Sequence, residues 1–127
     1  MKTLRLAVIA AVLGVAMVLP ATASAATTNP YRYYVACGWS RKSSPSHSCP
    51  AGSNKAAFFK SKSSSITYKV CTTYPSALVI CANGQSAPVN TWVKVKISAT
   101  AKGQYTTRWY TGLFPEHQIG QWSFNVT

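Results

Sequence analysis

Aspartate is absent from this chain of 127 residues, and Glu116 is its only acidic side chain. That scarcity excludes much chemistry. Glycoside hydrolysis by a carboxylate pair needs two such groups. A Ser-His-Asp triad needs an aspartate, and Glu116, next to His117 in sequence, is badly placed to orient that ring. Histidine is scarce as well. His47 and His117 lie seventy residues apart, without the companions a metal site needs. Four cysteines are an even number, and pairing them all leaves no thiolate nucleophile. Neither a metal nor a cofactor is expected. One catalytic scheme survives the inventory, a ribonuclease-like arrangement of base, acid and cation around a phosphate. His47, His117, Glu116 and Arg108 with nearby lysines would supply it, and nothing in their spacing supports it specifically.

Long apolar runs are confined to the N-terminus. Lys2 and Arg5 precede fourteen apolar residues, Leu6 to Leu19, and Pro20 breaks the run before Ala23-Ser24-Ala25. A positive region, a short apolar stretch and a small-residue cleavage site make a secretory signal peptide of bacterial style. Residues 1–25 are therefore expected to be removed, leaving 26–127 as one secreted domain, extracellular or periplasmic and monomeric, with no transmembrane segment. In an exported chain the cysteines read as two disulfides. Three pairings are possible. Cys37–Cys49 and Cys71–Cys81 are favoured because each closes a short loop. Closure of that size contributes roughly 2–3 kcal/mol each on a chain-entropy account.

Positive charge is abundant. After residue 25, eleven lysines and arginines face Glu116 alone, a net charge of +10. Such a surface attracts polyanions, and it also keeps a secreted chain soluble. Ser40 to Ser65 holds ten serines together with Arg41, Lys42, Lys55, Lys60 and Lys62. It reads as a mobile basic loop pinned by Cys49, with a short strand around Ala56–Phe59.

Period-two alternation dominates the rest, with β-branched and aromatic residues and turn signals at Pro75, Asn83-Gly84 and Lys102-Gly103. About six or seven strands are expected. Tyr31, Tyr33, Val35, Cys37 and Trp39 share one face, as do Ile66, Tyr68 and Val70, continued by Leu78 and Ile80. A hairpin that sets Cys71 against Cys81 also sets Thr72 against Ile80 and Tyr74 against Leu78.

The C-terminal quarter suggests two further hairpins. Pairing Trp109 with Trp122 sets Thr107 against Phe124 and Tyr105 against Val126, so both tryptophans are expected in the core. Continuing through Ala101-Lys102-Gly103 sets Val93, Val95 and Ile97 against Trp109, Thr107 and Tyr105. The opposite side of that ladder would place Trp92 beside Tyr110, Lys94 beside Arg108 and Lys96 near Thr106. Exposed aromatics beside cations suit stacking on sugars or bases with anion contacts at the edge.

"GQYTTRWY" followed by "IGQWSFNV" resembles the closing hairpin of bacterial immunoglobulin-like domains. The resemblance implies a two-sheet antiparallel sandwich that binds or adheres, and it implies no transferable active site. The expectation is an all-β sandwich acting as a basic, non-catalytic binding module for an anionic or polysaccharide ligand of a cell envelope. Trp92, Lys94, Lys96, Arg108 and Tyr110 would form its face and the basic loop its electrostatic arm. Other classes stay open: an antimicrobial or toxin-like envelope binder, a protease inhibitor displaying Arg41 and Lys42, and, least favoured, the ribonuclease.

Overall fold

A computed structural model describes residues 29–127; the expected signal peptide lies outside the described residues. The described residues form eight strands and no helix: β1 (Tyr31–Ala36), β2 (Ser48–Cys49), β3 (Lys55–Ser61), β4 (Ile66–Thr73), β5 (Val79–Ala87), β6 (Val93–Ile97), β7 (Gly103–Thr111) and β8 (His117–Val126). The strand beyond the expected number is the two-residue β2. Two sheets make a small sandwich, one ordered β1-β3-β6 and the other β2-β8-β7-β4-β5. All neighbours are antiparallel except β2, which runs parallel to β8.

Alternation explains the main core. Along β7, Tyr105, Thr107 and Trp109 are buried while Thr106, Arg108 and Tyr110 face outward. They meet Val35 and Phe59 of the smaller sheet, together with Tyr68, Val70, Phe124 and Val126 of their own. The one polar pair in this layer satisfies itself, with Thr72 and Thr107 hydroxyls 2.9 Å apart. Both disulfides form as expected, Cys37–Cys49 and Cys71–Cys81. Cys71 lies opposite Cys81 and Thr72 opposite Ile80, and the Tyr74 amide donates to the Leu78 carbonyl.

Several expectations need correcting. The β7–β8 register is displaced by two residues, so Trp109 lies opposite Gly120, Thr107 opposite Trp122 and Tyr105 opposite Phe124. The cause is Tyr33. Its ring lies across Gly120 and packs against Trp109 with centroids 5.0 Å apart, and no side chain at 120 would leave that space. A displacement of two preserves every residue's face. Trp109 is fully buried as expected, but Trp122 is only half-buried and packs on both core clusters.

The segment β6–β7 is not a hairpin. β6 pairs with β3, placing Val93 opposite Phe59 and Val95 opposite Ala57, while β7 takes β4 as its neighbour. Residues 98–102 instead cross between the sheets. Buried Ala99 tucks under the crossing, Tyr74 donates to the Ser98 carbonyl, and the Tyr105 hydroxyl donates to the Ala101 carbonyl at 2.6 Å. Leu78 and Ile80 do not continue the buried face, because β5 is an edge strand and both are about half exposed.

Residues 40–65 are not one loop. The short strand expected around Ala56–Phe59 is present and longer: it is β3, the central strand of the smaller sheet, buried on both sides. Ala57 and Phe59 face the main core, and Ala56 and Phe58 join Tyr34 and Ala36 in a second cluster outside it. That outer cluster exists because residues 37–47 fold back over the smaller sheet. Ala36 bridges to Pro45, the Ser46 amide donates to the Val35 carbonyl, and the chain then reaches β8 through Ser48 and Cys49.

Candidate functional site: a cation–aromatic face

The segment folded over the smaller sheet brings basic and aromatic side chains together. Tyr34 stacks on Phe58, with centroids 4.8 Å apart, and meets the edge of Trp92 at 5.3 Å. The Arg41 guanidinium lies over the Trp92 ring at 4.4 Å and donates to the Tyr34 hydroxyl at 3.3 Å. The Lys60 ammonium stands 5.7 Å from the same ring. Beside this group, Lys94 lies over the Trp39 ring at 4.4 Å, and its ammonium donates to the Trp39 carbonyl. Lys96, exposed two residues further along β6, extends the charge. β1, β3 and β6 present these residues outward by alternation, and the Cys37–Cys49 bond closes the segment that carries Trp39 and Arg41.

The electrostatics follow from simple chemistry. A ring face attracts a cation by its quadrupole, worth about 0.5–1 kcal/mol when exposed. It carries no net charge, so the cations stay uncompensated. The only acidic side chain of the chain, Glu116, pairs instead with Lys69 on β4 at 2.7 Å. Arg41, Lys60 and Lys94 therefore form a patch with aromatic walls and no side-chain carboxylate beside them.

The five residues expected to form one face are divided between the sheets. Lys94 and Lys96 stand on β6 of the smaller sheet and Trp92 immediately precedes it, whereas Arg108 and Tyr110 are on β7 in the larger one. Trp92 is half-buried rather than open. Arg108 donates to Gln121 at 3.2 Å and to Thr73 at 3.3 Å, and Tyr110 lies under the Lys69 ammonium at 4.9 Å. Lys94 consequently never opposes Arg108, and the like-charge cost expected of that pair does not arise.

The basic arm is likewise divided. Arg41, Lys42 and Lys62 are exposed, Lys60 is half-buried on β3, and Lys55 is buried. The Lys55 ammonium donates to the carbonyls of Ala51 at 3.2 Å and Ser53 at 2.6 Å, and burial holds its pKa below the ordinary value. It anchors the turn before β3 and is not part of a mobile arm.

The groups weighed for phosphate chemistry are not brought together. His47 stacks on Trp122, centroids 4.2 Å apart, and its Nδ1 donates to the Ser123 carbonyl at 2.6 Å. A carbonyl only accepts, which places the proton on Nδ1. His117 begins β8 six positions earlier, roughly 20 Å along the strand. Trp39 and Tyr34 are the site residues that sequence reasoning missed as such. Their only signal was the alternation of "YRYYVACGW", which assigned Trp39 inward, whereas β1 ends at Ala36 and Trp39, beyond it, is exposed. No known protein family, curated protein or solved structure matches the chain.

Proposed function

We propose that the protein is a secreted, basic, non-catalytic binding module of the immunoglobulin-like class, which holds an anionic polymer of a cell envelope. The observation carrying this reading is the Arg41–Trp92–Lys60 and Lys94–Trp39 assembly beside which no carboxylate side chain lies. Cations without counter-charges attract a polyanion, and the indole rings offer faces for sugar stacking. Two disulfides suit an oxidising compartment. Among the described residues no helix is long and apolar enough to cross a membrane.

Two features of the fold support the immunoglobulin-like class. Lettered in chain order A, A′, B, C, C′, E, F and G, the strands give sheets A-B-E and A′-G-F-C-C′. The buried Tyr105, near the start of β7, bonds back to a carbonyl four residues upstream, as the corner tyrosine of such sandwiches does.

Co-sedimentation with purified cell walls across a salt series tests the function. Retention is expected to fall steeply as salt screens the cations. An Arg41→Gln/Lys94→Gln variant is expected to bind more weakly and to lower the slope of log retention against log salt by roughly one for each cation removed from the interface. Retention indifferent to salt and to this variant would sink the proposal.

A further inference from the structure

The β7–β8 turn presents two large apolar side chains to solvent: Phe114 is 96% exposed and Leu113 78%. This is not a slack loop. Gly112 has φ of +82°, and a Cβ there would stand 2.7 Å from the Pro115 carbonyl oxygen, so the backbone closes tightly on itself. Thr111 pairs with His117 immediately behind it. A tight turn therefore holds a Leu-Phe pair outward, where the fold gives neither residue cover.

Beside this tip the charges of Lys69 and Glu116 are paired, and the exposed cations lie elsewhere on the same end of the sandwich. Tyr31 of the smaller sheet, Tyr68 and Tyr110 of the larger one and Leu113 of the turn line a common cleft of about 630 Å³, which places the tip at the end of the sandwich where β1 begins. The other connections at that end are tied together. The Lys62 amide donates to the Pro30 carbonyl at 2.8 Å, the Asn90 amide to Ser61 at 2.6 Å, and the Val89 amide to the Ser65 hydroxyl at 2.9 Å. Arg32 and Lys62 are exposed there, and Val89 adds a third solvent-facing apolar side chain. The one acid nearby, Glu116, is occupied by Lys69.

We propose that this end of the molecule docks on an anionic lipid bilayer, with Phe114 and Leu113 entering the interface and Arg32 and Lys62 meeting headgroups. Two considerations select lipid over a protein partner. The two tip side chains offer on the order of 300 Å² of apolar surface, well below the roughly 800 Å² per partner of a stable protein interface. A short apolar projection at the same end of the molecule as two exposed cations, Arg32 and Lys62, matches a bilayer, whose interface takes up apolar side chains beneath anionic headgroups. The Leu113–Phe114 tip is separate from the Arg41–Trp92 face, although Arg32 lies opposite Lys60 across β1 and β3.

The test uses phosphatidylcholine vesicles, with or without about one third phosphatidylglycerol, sedimented with the purified protein at low salt. Wild type is expected to partition about tenfold better into the anionic vesicles, and Leu113→Ser/Phe114→Ser to lose about tenfold of that binding. The same variant is expected to keep its thermal midpoint and its cell-wall retention, because both side chains are largely exposed and lie away from the Arg41–Trp92 face. A Phe114→Trp variant is expected to gain blue-shifted emission quenched by brominated lipid. Failure of wild type to partition, partitioning of the serine variant equal to wild type, or a Trp at this position that bromolipid leaves unquenched would each overturn the proposal. Equal partitioning would assign the vesicle binding to charge alone.

Discussion

Replacing Gly120 with alanine tests the packing that sets the β7–β8 register. An added Cβ would collide with the carbons of the Tyr33 ring, and Gly120 is buried, so the ring must move. Forced overpacking in a well-filled core costs about 1–3 kcal/mol. Separating the Tyr33 and Trp109 rings adds about 0.5–1.5 kcal/mol. Alanine in a strand recovers about 0.5–1 kcal/mol relative to glycine. The balance is a loss centred near 2 kcal/mol, which lowers the melting midpoint of a domain this size by roughly 8–16 °C. Thermal unfolding followed by near-ultraviolet circular dichroism reads both the midpoint and the environment of Trp109. Tyr33→Ala removes the obstacle, and in that background Gly120→Ala is expected to be neutral or stabilising. An unchanged midpoint for the single variant, or additive losses in the double, would refute the steric account.

Other predictions concern the core, the crosslink and pH. The Trp109 indole nitrogen is buried without a hydrogen-bond partner, so Trp109→Phe removes an orphan donor along with some area. Denaturant unfolding should show a loss of about 1–2 kcal/mol, well below the 3–5 kcal/mol expected of Trp109→Ala. Cys37→Ser/Cys49→Ser frees the segment carrying Trp39 and Arg41, and is expected to cost about 2–3 kcal/mol and to weaken cell-wall retention together. Intact retention in an unfastened but folded protein would detach binding from that segment. Lys55 and Tyr68 give opposite pH dependences. The unfolded chain holds the Lys55 proton up to 10.5 and the folded chain releases it earlier, so this group makes stability rise with pH below 10.5. Burial pushes Tyr68 from 10.0 up to about 12, so unfolding releases its proton and stability falls between those values. Urea midpoints across alkaline pH should lose the rising part in Lys55→Met and part of the fall in Tyr68→Phe.

What the sequence made legible was local. Alternation identified the inward residues of β4 and β7, and loop length chose both disulfides, because each property is decided within a strand or a short loop. Strand neighbours were not legible. Val93, Val95 and Ile97 bury one face whether they pair with β7 or cross over it to β3, and Lys102-Gly103 serves a hairpin or an inter-sheet corner equally well. Buried on both sides, "KAAFFKS" lacks the alternation that marks a strand, so a short strand around Ala56–Phe59 was legible but its length and its place at the centre of a sheet were not. The candidate face was misplaced for the same reason. Trp92 and Lys94 were assigned Tyr110 and Arg108 as neighbours through a ladder that does not form, while their real companions, Tyr34, Trp39 and Arg41, come from a segment more than fifty residues earlier.

Arg41 and Lys94 rest on indole faces inside an arc fastened by the Cys37–Cys49 bond. Long cationic side chains ordinarily surrender their rotamer freedom when a ligand arrives, at a cost of up to about 1.5–2 kcal/mol each. Here much of that ordering is completed as the chain folds. On the proposed function, a polymer meeting this patch would find its contacts preset, and the entropy of association would be dominated by displaced small ions rather than by the freezing of lysine and arginine.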